Sequence, residues 1–134
     1  MIQPFLVFSD WAILILRVVL GSILLVHGVQ KVRGWSGALQ SFEKMGFKPG
    51  TLWLTAATAI EVGGGSLLIL GLFTQIVALL VAFQFIVIIL KLKWRAGFIG
   101  GYEFDLLILG TALLLATVGG GAYDLDALLG ILIY

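Results

Sequence analysis

Polar side chains that could do chemistry lie within or at the ends of long apolar runs of this sequence. The candidate ligand-binding residues are Arg17, His27, Lys31, Glu61, Gln84, Glu103 and Asp105. An ionisable group in the hydrocarbon region costs about 2.5–3.5 kcal/mol on insertion scales, so such a residue marks a functional site by default. A small-molecule site needs an apolar slot, a few polar contacts and a protonatable group. The sequence supplies these groups, although none is identified as catalytic.

The depth of each polar residue in its helix predicts which of them meet. Arg17 lies about 6 Å from Gly21, taken as the midpoint of the first apolar run, at a rise of 1.5 Å per residue. A guanidinium can extend over that distance, so we expect Arg17 to pair with Glu61, near the middle of the second run. Gln84 has a similar depth in the third. This pair could line a ligand cleft, or it could be a structural ion pair that fixes helix register.

A second polar level is expected at the other end of the bundle. His27 and Lys31 end the first run, and Glu103 and Asp105 begin the fourth. A ligand could contact them there. The alternatives are that Lys31 is an interfacial anchor and that His27 only bonds a backbone carbonyl. On the first helix, Gly21, Leu24 and Gly28 share a face with the polar residues of that helix, and three consecutive glycines lie just after Glu61. Both features allow close helix packing or leave room for a ligand.

The composition and the apolar runs predict that membrane-spanning helices position these residues. Of 134 residues, 61% are hydrophobic and 11% are charged, with a mean hydropathy of +1.18. A soluble domain of this size cannot bury so much apolar surface. Four runs are long enough, or nearly so, to span about 30 Å of hydrocarbon. We predict an all-α transmembrane four-helix bundle forming one domain over residues 1–134, with helices at about 11–29, 52–70, 74–90 and 104–118. A short apolar segment follows, with Asp124 or Asp126 as its N-cap.

The distribution of Lys and Arg predicts the orientation. The two loops that follow the first and third helices contain Lys31, Arg33, Lys44, Lys48, Lys91, Lys93 and Arg95, whereas the other connections and both ends contain none. The positive-inside rule places these loops in the cytoplasm and both termini outside. We expect a multi-pass protein of the plasma (inner) membrane, with membrane lipids as partners.

The first basic loop contains its own helix pattern. Trp35, Leu39, Phe42 and Met45 recur at helical spacing. Ser36 could cap the start, and Gly46 stands where a C-terminal glycine belongs. We predict a short amphipathic helix lying in the membrane interface. The Trp and Tyr residues partly fit an interfacial aromatic belt: Trp11, Trp35, Trp53, Trp94 and Tyr102.

Several function classes are excluded by what the sequence lacks. It contains no cysteine, which removes disulfide exchange, iron–sulfur ligation and thiolate zinc sites. It contains one histidine, so no His-rich metal site forms within one chain, and no haem ligation is evident. We expect no metal. The net charge is +1 with no polar domain, so we expect no nucleic-acid partner.

The same polar residues carry a resemblance to a family. The run from Arg17 through Gly21 to His27-Gly28-Val-Gln-Lys31 resembles the opening helix of the DoxX family. Three further segments resemble DoxX segments in the same order along the chain. They are the first loop, then Glu61-Val-Gly-Gly64 with the turn after Leu70, and then Tyr102-Glu103-Phe-Asp105. The resemblance extends to the closing Gly-Gly-Gly-Ala-Tyr-Asp-Leu-Asp126. It covers nearly the whole chain.

The resemblance implies a small four-helix membrane protein of the kind that serves as a redox-associated subunit. The polar signature of the family falls on Arg17, His27, Lys31, Glu61 and Glu103. The sequence does not identify a cofactor; a quinone or another small oxidant would suit this role, and further protein subunits are the expected partners. A homo-oligomer is compatible with the sequence. Catalysis by this chain alone is not expected.

Two other functions remain open. The chain could be a non-catalytic assembly or scaffold subunit whose buried charges only specify its own bundle. It could also be a small proton-coupled exporter. We rank the exporter last, because exporters of this size usually carry their buried carboxylate in the first helix, whereas Glu61 is in the second.

Overall fold

A computed structural model describes residues 5–131 of the chain. Its helices are α1 (Leu6–Arg33), α2 (Trp35–Lys44), α3 (Gly50–Leu70), α4 (Thr74–Ala96), α5 (Glu103–Val118) and α6 (Leu125–Leu129). The helices α1, α3, α4 and the segment Phe98–Val118 that contains α5 are long and apolar enough to cross a membrane. The predicted all-α membrane bundle is confirmed.

The four long helices are antiparallel neighbours. Helix α1 packs against α3 and α5, and α4 packs against the same two helices. The loops with the seven Lys and Arg residues therefore lie together, and we call this side the basic end. The opposite side, where α1 begins and α6 lies, is the terminal end. Helices α1 and α4 extend several residues beyond the predicted bounds at the basic end.

Glycines bring α1 and α3 into direct contact. A Cβ atom on Gly21 would lie 2.6 Å from the carbonyl oxygen of Gly65, and one on Gly65 would lie 2.7 Å from that of Gly21. A Cβ on Gly28 would meet the Val62 side chain at 2.6 Å. Of the two functions considered for these glycines, close packing is the one that the structure shows.

The apolar core of the bundle lies between its two ends. Leu24, Leu68, Val81, Ala112 and Leu115 are fully buried there and belong to one apolar cluster. This cluster separates the polar groups of the basic end from those of the terminal end.

Helix α2 forms where the loop pattern predicts it. Gly46 follows its C-cap with φ +87°, a conformation that glycine adopts without strain. The predicted Ser36 cap is wrong, because the helix begins after Gly34 and no side chain in the described part of the chain caps it. Phe42 of α2 packs on Phe47, and Phe47 packs on Trp53 of α3. Helix α2 is thereby attached to the basic end of the bundle.

Helix α6 is fixed at the terminal end by two aspartates. Asp124 caps it, accepting a hydrogen bond from the Ala127 N–H at 2.7 Å, as predicted. Asp126 instead accepts from the backbone N–H groups of Phe73 and Thr74, at 2.9 and 3.1 Å. These donors begin α4, which has no side-chain cap of its own, so Asp126 supplies one from a distant part of the chain. The predicted apolar segment continues to Tyr134, and its last three residues lie outside the described part.

Two long helices contain a widened, π-helical turn. In α3 it spans Ile60–Gly64, and in α4 it spans Ile89–Lys93. Such a turn contains one extra residue and rotates the side chains that follow it, and it is frequent at functional sites. Glu61 and Lys93, two of the charged residues of the basic end, belong to these turns.

Candidate functional site

A cavity of about 310 Å³ lies at the basic end, between the four long helices and α2. Its apolar walls combine aliphatic side chains with six aromatic ones, which are Phe42, Phe47, Trp53, Phe83, Phe85 and Phe104. Small side chains make room on α3, where Ala56 and Ala57 face the space. Its polar lining residues are His27, Lys31, Glu61, Gln84, Lys93 and Asp105. Five of the seven candidate residues from the sequence are among them.

Glu61 is the central acceptor of this cavity. Its side chain is buried, and both carboxylate oxygens accept from the Lys31 ammonium group. The Gln84 amide also donates to Oε1 at 2.7 Å. The carboxylate is therefore held by groups from α1 and α4. Lys31 turns inward to reach it, so it is more than the interfacial anchor considered from the sequence.

A second ion pair joins α4 to α5. Lys93 Nζ lies 2.6 Å from Asp105 Oδ2. The Asp105 side chain is 6% exposed and that of Lys93 is 41% exposed, so the pair connects the cavity lining to solvent at the basic end. The sequence interpretation assigned Lys93 only to the basic loop. Lys93 is the last residue of the π-helical turn in α4.

His27 lies at the edge of the cavity rather than inside it. It is exposed on the outside of α1, and its ring stacks on that of Phe104 of α5 with centroids 6.3 Å apart. Phe83 and Phe104 are likewise both cavity-lining and exposed. The cavity therefore reaches the lipid-facing surface of the bundle.

Glu103 does not line this cavity. It is exposed, and its Oε1 accepts from the Gly100 N–H at 3.0 Å in the turn before α5. It borders a separate open groove between α1 and α5, next to Leu107 and Gly110. The neighbouring residue Asp105 points to the other side of the helix and is the one that lines the cavity.

The predicted pairing of Arg17 with Glu61 is wrong. Arg17 is buried at the terminal end, where it donates to the carbonyl oxygens of Gly120 at 2.6 Å and Tyr123 at 2.9 Å. Asp124 and Asp126 of the same segment supply the negative charge near it. The physical reason is that the segment after α5 folds back over Arg17, while Lys31 reaches Glu61 from the basic end.

A second cavity, of about 510 Å³, opens at the terminal end beside the segment that Arg17 holds. Asp10, Asp124 and Asp126 line it. Each of these aspartates already accepts a backbone N–H, from Ala122 in the case of Asp10. Their hydrogen bonds fasten the C-terminal segment, which explains these acids without a ligand.

The aromatic walls are the part of the site that sequence reasoning missed. Trp53 was interpreted as a belt residue, and Phe42 as part of an interfacial face. The usable signal is that phenylalanines stand next to the polar candidates, at positions 83, 85 and 104 beside Gln84 and Asp105.

The fold and the site together define a class: a four-helix membrane protein with a partly polar cavity at one end of the bundle. The DoxX family profile matches residues 12–94, more than half of the chain. The chain belongs to the DoxX family.

Two relatives extend the similarity over most of the chain. "Putative oxidoreductase CatD" of Bacillus subtilis (strain 168) is 41% identical over 113 residues, covering 84% of this chain and 83% of that protein. "Inner membrane protein YqjF" of Escherichia coli (strain K12) is 33% identical over 124 residues, covering 90% of this chain and 94% of that protein. No solved structure matches the chain. The family, the spans and the second relative support a multi-pass protein of the plasma membrane.

Proposed function

We propose that this protein is a redox-associated subunit of a membrane complex, and that its basic-end cavity binds a quinone or a similar small aromatic molecule. The observation that carries the proposal is the aromatic-walled cavity of about 310 Å³ with two ion pairs in its lining. Ligand sites are typically about 300–1,000 Å³ in volume and mostly apolar, with few polar groups. One relative is named as an oxidoreductase, which agrees with the proposed class.

The charged groups of the cavity supply the hydrogen-bond donors and the protonatable groups that a quinone site needs. Lys31 and Lys93 are donors able to face a ring oxygen. Their carboxylate partners, Glu61 and Asp105, can exchange protons with these lysines. Lys93 is solvent-accessible, which gives the site a route to water at the basic end. Electrons would come from another subunit, in keeping with the proposed membership of a complex. We also propose that the basic end faces the cytoplasm, from the positive-inside rule.

A cavity-filling variant tests binding directly. Purified protein in lipid nanodiscs is titrated with a short-chain quinone while tryptophan fluorescence is recorded, since Trp53 lines the cavity. Ala57→Phe places a ring in the cavity and should weaken binding about tenfold or more, because the space is lost. Ala59→Phe is the matched control: Ala59 is exposed on the same helix and should leave binding unchanged.

Two results would reject the binding proposal. One is a fluorescence change that does not saturate, which indicates partition into lipid only. The other is equal binding by both variants, which places the ligand elsewhere.

A scaffold role is the second candidate, and the ion pairs favour it. Lys31–Glu61 joins α1 to α3, and Lys93–Asp105 joins α4 to α5, so both could serve only to fix the bundle. Affinity purification in a gentle detergent, with mass spectrometry of proteins and lipophilic molecules, separates the two functions. A redox subunit retains a quinone that is depleted in Ala57→Phe. A scaffold retains the same protein partners in both forms and no such ligand.

A further inference from the structure

One polar atom of the cavity lining is left without a partner. Gln84 is 8% exposed and lines the cavity between Phe83 and Phe85. Its amide nitrogen donates to Glu61 Oε1 at 2.7 Å, whereas its carbonyl oxygen Oε1 is buried and accepts no hydrogen bond within residues 5–131. Buried acceptors in native proteins are rarely left unpaired, so this atom points to a group that binds there.

The orientation of this amide is determined by its neighbour. A carboxylate can only accept hydrogen bonds, so Glu61 requires the NH₂ group of Gln84 on its side. Flipping the amide would bring two acceptors together. The free atom is therefore the carbonyl oxygen, and only a hydrogen-bond donor can satisfy it.

The two ammonium groups of the site donate to carboxylates and not to this oxygen. Lys31 bonds both oxygens of Glu61, and Lys93 bonds Asp105. The two other lining side chains that carry an N–H donor, His27 and Trp53, do not bond Gln84 Oε1 within residues 5–131, and the rest of the lining is aromatic or aliphatic without a donor. A donor for Gln84 Oε1 must then arrive with the ligand, on a flat ring that the aromatic walls can accommodate.

We propose that the cavity selects a hydroxylated aromatic head group, a phenol or quinol, whose O–H donates to Gln84 Oε1. The proposal rests on the proposed function and sharpens it. A quinone ring carries carbonyl acceptors only, so it cannot pair with Gln84 Oε1, whereas its reduced form can. The site therefore prefers the reduced, hydroxyl-bearing member of the pair.

A redox-inert ligand pair isolates the hydrogen bond. The probes are para-heptylphenol and para-heptylfluorobenzene, which have the same tail and similar head groups but differ in the donor. Binding is measured in nanodiscs by tryptophan fluorescence, with each dissociation constant referred to the ligand concentration in the bilayer. The wild-type protein should bind the phenol about tenfold tighter than the fluoro compound, the usual effect of one hydrogen bond to a buried group.

Substitution of the acceptor should abolish this preference. Gln84→Met keeps the length of the side chain and removes the amide, so the phenol-to-fluoro ratio should fall to about one. Gln75→Met is the matched control. Gln75 lies at the terminal end of the same helix, where it donates to the Ala116 carbonyl, and its loss should leave the ratio unchanged.

The outcomes separate this inference from the proposed function. Equal wild-type affinities for the two probes would overturn the hydroxyl preference, and this comparison needs no variant to fold. A preference that persists in Gln84→Met would place the acceptor elsewhere and overturn it too. If the hydroxyl preference is absent and a short-chain quinone also fails to bind the wild-type protein, the proposed function fails together with the inference.

Discussion

Removing Lys31 should destabilise the protein more than removing its partner. Glu61 has a side chain that is 3% exposed, whereas that of Lys31 is 23% exposed and lies near the basic end of α1. In Lys31→Met the carboxylate stays buried and keeps only the Gln84 amide as a donor. In Glu61→Gln the ammonium group is freed and can extend toward the interface. The two halves of one ion pair are thus unequal.

The difference can be worked from these exposures. Leaving an uncompensated charge in a buried pair costs about 3–5 kcal/mol of unfolding free energy. Because Glu61 keeps its hydrogen bond from Gln84, we expect the low end of this range, about 3 kcal/mol, for Lys31→Met. Glu61→Gln should cost about 1 kcal/mol, because an exposed cation is stabilised by water. Lys31→Met/Glu61→Gln contains no unpaired charge and should also cost about 1 kcal/mol. The double variant is then more stable than the Lys31 single variant, a strong departure from additivity.

The free energy of unfolding of the four forms measures this order. Each is unfolded by adding sodium dodecyl sulfate to protein in a nonionic detergent, followed by circular dichroism. The expected order of stability is wild type, then Glu61→Gln and the double variant together, then Lys31→Met. Equal costs for the single variants, or a double variant that loses the sum of both, would refute the buried pair.

Three further predictions concern the rest of the bundle. Arg17→Lys should cost about 2 kcal/mol and expose the C-terminal segment to protease, because one ammonium cannot replace the fork that binds two carbonyls; unchanged proteolysis would contradict this. Gly65→Ala should cost about 1–3 kcal/mol in the same unfolding assay, since its Cβ would lie 2.7 Å from a carbonyl of α1. Gly110→Ala, whose Cβ would meet nothing within 4 Å among residues 5–131, should be neutral or stabilising by up to about 1 kcal/mol, and equal costs would contradict the close crossing. In intact cells an impermeant thiol reagent should label Leu128→Cys and leave Lys44→Cys unlabelled, in a chain with no other cysteine; the reverse pattern would invert the proposed orientation.

The class of fold is predictable from sequence because it depends on quantities that can be summed along the chain without knowing which distant residues meet. Run length, hydropathy and the clustering of seven basic residues predict four spans with two loops on one side. Helix α2 and the Asp124 cap also follow from local spacing. These features involve residues close together in the chain, so a periodic pattern is sufficient to reveal them.

The contacts within the site could not be predicted in the same way. Arg17 bonds backbone carbonyls more than 100 residues away, in a segment without regular structure. The π-helical turns that contain Glu61 and Lys93 change the side-chain directions that a regular helical wheel assumes. The depth of each residue along its helix favours Arg17 as the partner of Glu61. This comparison takes no account of the long Lys31 side chain, which reaches inward from the basic end.

The location of a bound ligand tests whether the basic-end cavity is the binding site. A photoreactive short-chain quinone analogue is irradiated with the protein in nanodiscs, and the labelled peptides are identified by mass spectrometry with and without excess unlabelled quinone. We expect label that competition removes on the cavity-lining parts of α3 and α4, around residues 53–60 and 83–93. Label that competition does not remove, or that concentrates at the terminal end around Gly119–Ala122, would contradict it.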